Sequence, residues 1–320
     1  MKYLITGCSG FIGFHVAQNL IKRNNLVIGI DNLNKYYDFR LKTDRLKNLK
    51  SKNFKFFKFD LSNKKKLKNI FKKFEFDYVI HLAAQAGVRY SMKDPFTYIN
   101  SNINATTNLF ECCKEFKPKK ILLASSSSVY GVQNSQYFDE NMKIDKPISF
   151  YAASKISMES IAHYYSHLYK IPVRILRFFT VYGPWGRPDM AYYKFTQNII
   201  SNKSINVYNN GNHFRDFTYI TDIVRFISRI IKKDNKTLFE ILNLGRGNPQ
   251  KLKKFITIIE DKLEKKANKN YISMQDGDML GTWANMKKFQ KKYNLKAKIS
   301  LDVGINKFID WYLDYFKKNK

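Results

Sequence analysis

Residues 3–13 read YLITGCSGFIG, and they decide the fold. Tyr3–Thr6 is a short apolar run that suits a strand, and Phe11–Arg23 carries its apolar residues at helical spacing. Gly7, Gly10 and Gly13 lie in the turn and the first helical turn between them. A strand passing through a glycine turn into a helix lets backbone N–H groups and the helix dipole hold a pyrophosphate. Gly7 permits the turn, Gly10 lets backbone approach the phosphates, and Gly13 allows close helix–sheet packing. The spacing is G-x-x-G-x-x-G rather than G-x-G-x-x-G, and a tight turn without a ligand is the alternative.

Working outward, the pattern repeats. Leu26–Ile30, Phe54–Phe59, Tyr78–Leu82, Ile121–Ser125 and Val173–Phe178 read as strands. Arg40–Lys50, Lys64–Phe74, Pro95–Phe116 and Ala152–Tyr169 read as helices between them. Such alternation predicts an α/β fold, a Rossmann-type doubly wound parallel sheet. Asp31 ends the second strand, where a carboxylate accepts from a ribose 2′-hydroxyl and repels a 2′-phosphate, favouring NAD over NADP. Asp60 ends the third strand, in reach of an adenine. After about residue 180 the pattern loosens into turn-rich segments, and a last helix is expected near Gly304–Phe316. The division expected is 1–180 for the NAD-binding domain and 181–320 for a smaller C-terminal substrate lobe over the strand ends, with an approximate boundary and segments that can interleave.

Composition narrows the class. The chain has 320 residues, 44% hydrophobic and 16% aromatic, enough for a large core. Cys8, Cys112 and Cys113 cannot form a disulfide framework, so a reducing cytoplasm is expected. Residues 3–21 are uncharged behind Lys2, but three glycines and polar side chains interrupt any signal-peptide core. No run of about 20 apolar residues exists to span a membrane. The net charge is +31, and the excess is lysine, 46 Lys against 11 Arg. Nucleic-acid readers lean on arginine forks and a recognisable motif, and neither is found here. The basic surface is expected to attract an anionic small molecule, with no nucleic acid, no membrane and no metal.

Tyr151-Ala152-Ala153-Ser154-Lys155 puts a phenol and an ammonium on one helix face. A nearby ammonium favours the phenolate and so makes tyrosine a usable base. Ser126, in the run Ser125–Ser128, lies 25 residues upstream and can converge with Tyr151 on one substrate oxygen. A phosphate loop, a hydroxyl donor and an activated tyrosine together point to hydride chemistry on a carbinol. The individual alternatives are a strand-end serine satisfied by backbone and a solvated helix lysine.

The chain resembles the extended short-chain dehydrogenase/reductases, the NAD-dependent epimerase/dehydratase group, from Met1 to at least Asn285, and looks closest to UDP-glucuronate 4-epimerases. The resemblance rests on IGIDNLNKYY (28–37), HLAAQAGVRYS (81–91), ASSSSVYG (124–131) and RFFTVYGPWGRPDM (177–190). It implies that Ser126, Tyr151 and Lys155 are catalytic. Gly7, Gly10, Phe11, Ile12, Gly13, Asp31, Asn32, Asp60 and Leu61, with Tyr151 and Lys155, are implied to hold NAD. Arg89, Ser127, Ser128, Thr180, Arg187, Arg215 and Asp278 are implied to bind a UDP-sugar: Arg89 in a substrate-facing loop, Ser127, Thr180 and Arg187 near the sugar carboxylate, Arg215 and Asp278 at the diphosphate and ribose. UDP-glucose 4-epimerases carry asparagine where this chain has Thr180. Some relatives have arginine near Gln275. A homodimer through Pro95–Phe116 and Ala152–Tyr169 is also implied.

The reaction so implied is C4 epimerisation of a UDP-uronic acid through a 4-keto sugar. A UDP-glucuronate decarboxylase and a UDP-hexose 4-epimerase remain alternatives. A 4,6-dehydratase would need an Asp-Glu pair where Ser127-Ser128 stands. A non-catalytic dinucleotide sensor or RNA-binding protein could keep the glycine loop and the charge, but would not need Ser126, Tyr151 and Lys155 together.

Overall fold

The computed structural model of the protein describes residues 1–133, 135, 137–233, 237–273 and 280–318. They form two compact units. The first comprises Met1–Gln133, Glu140–Phe178 and Ile227–Asn243; the second comprises 134–139, Phe179–Phe226 and 244–320.

The first unit is built on a seven-stranded sheet. Its strands are β1 (Lys2–Thr6), β2 (Leu26–Asp31), β3 (Phe54–Lys58), β4 (Tyr78–His81), β5 (Lys120–Ser126), β6 (Val173–Phe178) and β7 (Phe239–Leu244), in the order β7-β6-β5-β4-β1-β2-β3. The pairings from β3 through β6 are all parallel. The centre of each inner strand is buried, so β1, β4 and β5 are nearly continuous apolar runs, as a sheet covered on both faces requires. Helices α1 (Phe11–Lys22), α2 (Lys64–Lys73), α3 (Ala105–Phe116) and α4 (Phe150–Tyr169) supply the covering residues. One core layer joins Leu109, Phe110 and Cys113 of α3 to Met158, Ala162 and Tyr165 of α4 and to Ile121 and Leu123 of β5. Each such aliphatic side chain contributes roughly 1.5–3 kcal/mol by leaving water.

Two local readings need correction. Pro95–Phe116 is not one regular helix. A short α-helical turn, Pro95–Tyr98, runs into a π-helical stretch, Ile99–Asn104, before α3 begins. The wide turn shifts the buried face by one residue: Tyr98 and Asn102 are fully buried, while Ile99 and Ile103 are half-buried. Arg89 is not in a loop. It lies on a separate helix, Val88–Lys93, which Gly87 opens with φ +110° and within which the Ser91 hydroxyl donates to the Val88 carbonyl. The chain also contributes β7 to the sheet edge from well beyond residue 180. There Arg174 of β6 pairs with Glu240 at 3.3 Å, and Lys120 donates to the Ile230 and Lys233 carbonyls.

The second unit combines short strands with helices Ala191–Ile200, Leu252–Leu263, Lys287–Tyr293 and Leu301–Lys318. Thr180–Tyr182 pairs in parallel with Phe217–Tyr219, so Thr180 lies opposite Phe217, which follows Arg215 by two residues in the chain. Asp216 is fully buried, and its carboxylate accepts from the Arg246, Gly247 and Ala284 amides. That ties two further backbone segments to the residue after Arg215. Aromatic contacts among Tyr193, Phe308, Trp311 and Tyr312 fix the last helix, which starts three residues before the expected Gly304.

Candidate active site

Gly7 has φ +72°, and a Cβ there would stand 2.7 Å from the Ala83 amide nitrogen. A Cβ on Gly13 would stand 2.1 Å from the Gly7 carbonyl oxygen. Both positions therefore accept only glycine, and the turn presses against α1 with its first amides pointing outward. The Gly7 amide donates to the Ile30 carbonyl at 2.7 Å, which sets the turn beside the end of β2. Arg45, fully buried, holds the same loop by donating to the Ser9 carbonyl and to Tyr37 Oη. Nothing in the spacing of residues 40–50 marked Arg45 for this task.

Asp31 stands where the sequence put it. One oxygen accepts from the Ser9 amide at 3.2 Å and the other from the Leu33 amide at 2.8 Å. A carboxylate has about four lone-pair sites, so acceptor capacity remains for a ribose hydroxyl. Asp60 lies two residues past β3. Burial would raise its carboxyl, but the Ser62 amide and the Asn32 side chain outweigh this and hold it below the usual range. A cavity of about 640 Å³ opens here, lined by Asn32, Tyr36, Asp60, Gln85, Tyr90 and Ser101 among others. Its size is that of a small-molecule site. The glycine cradle, the acidic strand ends and this polar cavity fit NAD. Phe11 and Leu61 are buried apolar residues, Leu61 within the core, so only their backbone groups could serve a ligand.

Tyr151 and Lys155 are on α4, which Ser149 caps by accepting from the Ala152 amide. The Lys155 ammonium is buried, lies 6.0 Å from the Tyr151 ring centre, and donates to the Ala124 carbonyl at 2.9 Å. Burial pulls it down to about 7, and the Glu159 carboxylate opposes that fall. Two residues beyond Ala124, Ser126 ends β5 half-buried. Its Oγ accepts from the Ser128 amide and donates to Ser128 Oγ, both at 3.2 Å. Ser127 and Ser128 follow in a single 3-10 turn. The first unit thus brings the lysine anchor and Ser126 to the same strand end.

Residues that spacing did not single out complete this region. Asn102, at the π-helical stretch, accepts from the Gln85 amide and donates to Ser154 Oγ at 2.9 Å, and Ser154 in turn donates to the Tyr151 carbonyl. Tyr98 meets the Tyr151 ring edge-on at 6.1 Å. His81 is wholly buried between Thr6 Oγ1 at 2.6 Å and Thr106 Oγ1 at 3.1 Å. Burial, with the Lys155 charge adding, pulls its imidazole down to about 3.

Arg89 is exposed on its short helix. In the second unit, Arg187 directs its guanidinium at Asp189, with Nε 3.0 Å from Oδ1. Arg215 donates to the Phe214 carbonyl. Thr180 is half-buried. Asp278 and Gln275 lie outside the described residues. Among the described residues, no group of three His, Cys, Asp or Glu side chains is placed to hold a metal, and no helix is long and apolar enough to cross a membrane.

Residues 3–245 match the NAD dependent epimerase/dehydratase family, and the chain belongs to that family. It is 48% identical over 334 aligned positions to Protein CapI of Staphylococcus aureus, covering 99% of this chain and 100% of that one. It is 44% identical over 311 positions to the UDP-glucuronate 4-epimerase of Thermodesulfobacterium geofontis, covering 97% and 95%. The crystal structure of UDP-glucuronic acid 4-epimerase from Bacillus cereus, in complex with UDP-glucuronic acid and NAD, matches with a TM-score of 0.93 at 34% identity, covering 98% of this chain and 100% of that one.

Proposed function

We propose that the protein is an NAD-dependent epimerase that interconverts UDP-glucuronate and UDP-galacturonate at C4. Similarity over nearly the whole chain to a UDP-glucuronate 4-epimerase carries this reading, and the tyrosine–lysine–serine arrangement in the first unit supports it.

NAD, when bound, would supply the hydride acceptor and donor that oxidation and re-reduction at C4 require. The residues of the chain do the rest. Tyr151 takes the proton of the C4 hydroxyl and later gives it back. Ser126 donates a hydrogen bond to the same oxygen. Lys155, held on the Ala124 carbonyl, keeps positive charge near the phenol and so favours its phenolate. The Gly7–Gly13 turn and the start of α1 hold the pyrophosphate, and Asp31, Asn32 and Asp60 hold the adenosine end. Ser127, Thr180 and Arg187 are assigned to the sugar carboxylate, Arg215 and Asp278 to the diphosphate and uridine ribose, and Arg89 and Ser128 to lesser substrate contacts. On this reading residues 1–180 chiefly bind NAD and 181–320 chiefly bind the nucleotide sugar. The net charge of +31 suits a substrate with two phosphates and a carboxylate rather than nucleic acid. Three free, buried cysteines suit the cytoplasm. Tyr164 and Leu168, each 52% exposed on α4, suit a homodimer.

The deciding experiment incubates the purified protein with UDP-glucuronate and no added cofactor, with products resolved by NMR. UDP-galacturonate rising to a steady ratio without net NADH is expected. A UDP-pentose, or a persistent 4-keto pentose, would replace this reading with decarboxylation, because a 4-keto uronic acid is a β-keto acid. Absence of turnover, also with NAD and UDP-glucose supplied, would overturn it.

A further inference from the structure

Glu159 follows Lys155 by one helical turn, so Tyr151, Lys155 and Glu159 form one stripe along α4. Glu159 is buried and makes three hydrogen bonds. It accepts from Ser125 Oγ, from Arg177 Nε at 3.0 Å and from Arg177 Nη2 at 2.8 Å. Ser125 and Arg177 are register partners on β5 and β6. Ser125 sits between Ala124, whose carbonyl holds Lys155, and Ser126. Consecutive residues of β5 are therefore tied to consecutive turns of α4. Arg177 is fixed in turn: its guanidinium lies 4.8 Å from the Tyr130 ring centre and donates to the Glu140 carbonyl. Tyr130 donates to Asn243, whose amide donates to the Glu140 carboxylate.

Stability alone does not account for this pair. A buried ion pair loses hydration, and an apolar pair of the same volume is commonly at least as stabilising. What apolar contacts cannot supply is directional bonding that fixes one element against another. The carboxylate also opposes the lowering that burial imposes on Lys155.

We propose that Glu159, oriented by Arg177, is a positioning residue for the reaction: it locks the end of β5 to α4 so that Ser126, Tyr151 and Lys155 keep a single arrangement. The proposal rests on the catalytic reading of those three residues. It adds Glu159, Arg177 and Ser125 to the determinants of turnover although none of them needs to touch the substrate.

The test uses the full-length protein with its bound NAD and compares kcat, KM for UDP-glucuronate and melting temperature. Glu159→Gln is expected to lower kcat by about tenfold or more, since misplacing catalytic groups by ~1 Å costs roughly a hundredfold. KM should stay within about twofold, because ground-state binding is not involved. The double variant E159Q/R177M removes both charges and should regain melting temperature without regaining kcat. Ser125→Ala, which deletes only the link to β5, should lower kcat about threefold to tenfold at unchanged melting temperature. Recovery of kcat together with melting temperature in the double variant, or full kcat in Ser125→Ala, would overturn the proposal. A Tyr151→Phe control separates the two claims: if it is inactive while the Glu159 and Ser125 variants are fully active, only the positioning role falls. If Tyr151→Phe is as active as the parent protein, the catalytic reading falls and the positioning role with it.

Discussion

Lys155 approaches the Tyr151 ring to 6.0 Å while its ammonium is tied to the Ala124 carbonyl at 2.9 Å. The charge acts on the phenol through space and is held by the strand that ends in Ser126. Removing the hydroxyl should therefore remove chemistry and leave the fold. Tyr151→Phe is expected to lose about 10²–10⁴ in kcat, the usual contribution of a positioned acid–base group. Steady-state NMR assays check this, with an unchanged far-ultraviolet spectrum as the control.

Gly13→Ala should empty the cofactor site. Its new Cβ would meet the Gly7 carbonyl at 2.1 Å, so the turn must open. The purified variant is expected to lack bound nucleotide in acid extracts, whereas the parent protein releases NAD, and added NAD should restore little activity.

Arg187 is expected to discriminate acidic from neutral sugars. A hydrogen bond between charged groups is worth about 1.5–3 kcal/mol, so Arg187→Met should raise KM for UDP-glucuronate roughly tenfold to a hundredfold. A neutral UDP-hexose should be far less affected. Equal loss on both substrates would place Arg187 elsewhere.

His81 gives the fold an acid sensitivity. Its folded value is about 3 against an ordinary 6.5, so below pH 6.5 the unfolded chain binds the extra proton. Stability is then fully present above pH 6.5 and falls as pH drops toward about 3. The slope from one proton is at most about 1.4 kcal/mol per pH unit. Urea unfolding across this range should show a shallower slope in His81→Gln than in the parent protein, at some loss of stability at neutral pH.

The exposed pair Tyr164 and Leu168 makes the assembly testable. Light scattering should give about twice 37.8 kDa for the parent protein and a single-chain mass for Tyr164→Glu combined with Leu168→Glu.

What could be read in the sequence was local. The glycine turn, the alternation that builds the sheet and the Tyr151–Lys155 pair all depend on spacings shorter than one element. Asn102 was hidden because a regular helix would have placed Ile99 and Ile103 inward. The π-helical stretch rotated that face, and no residue type announces such a turn. Glu159 was visible as a carboxylate one turn beyond Lys155, but its partners follow from the register of β5 on β6. Arg45 and His81 were obscured for the same reason: each has a partner distant in sequence, the Ser9 carbonyl for Arg45 and the Thr6 hydroxyl for His81.

The edge strand β7 has a consequence for the life of the polypeptide before it is an enzyme. A ribosome that has just delivered Phe178 has made six of the seven strands, yet β6 is still bare along one side. Arg174 then lacks Glu240, and Lys120 lacks the carbonyls of Ile230 and Lys233. Some sixty more residues must emerge before the nascent sheet is capped. During that interval the growing chain presents an open strand edge, the kind of surface to which another strand adds and on which chaperones act.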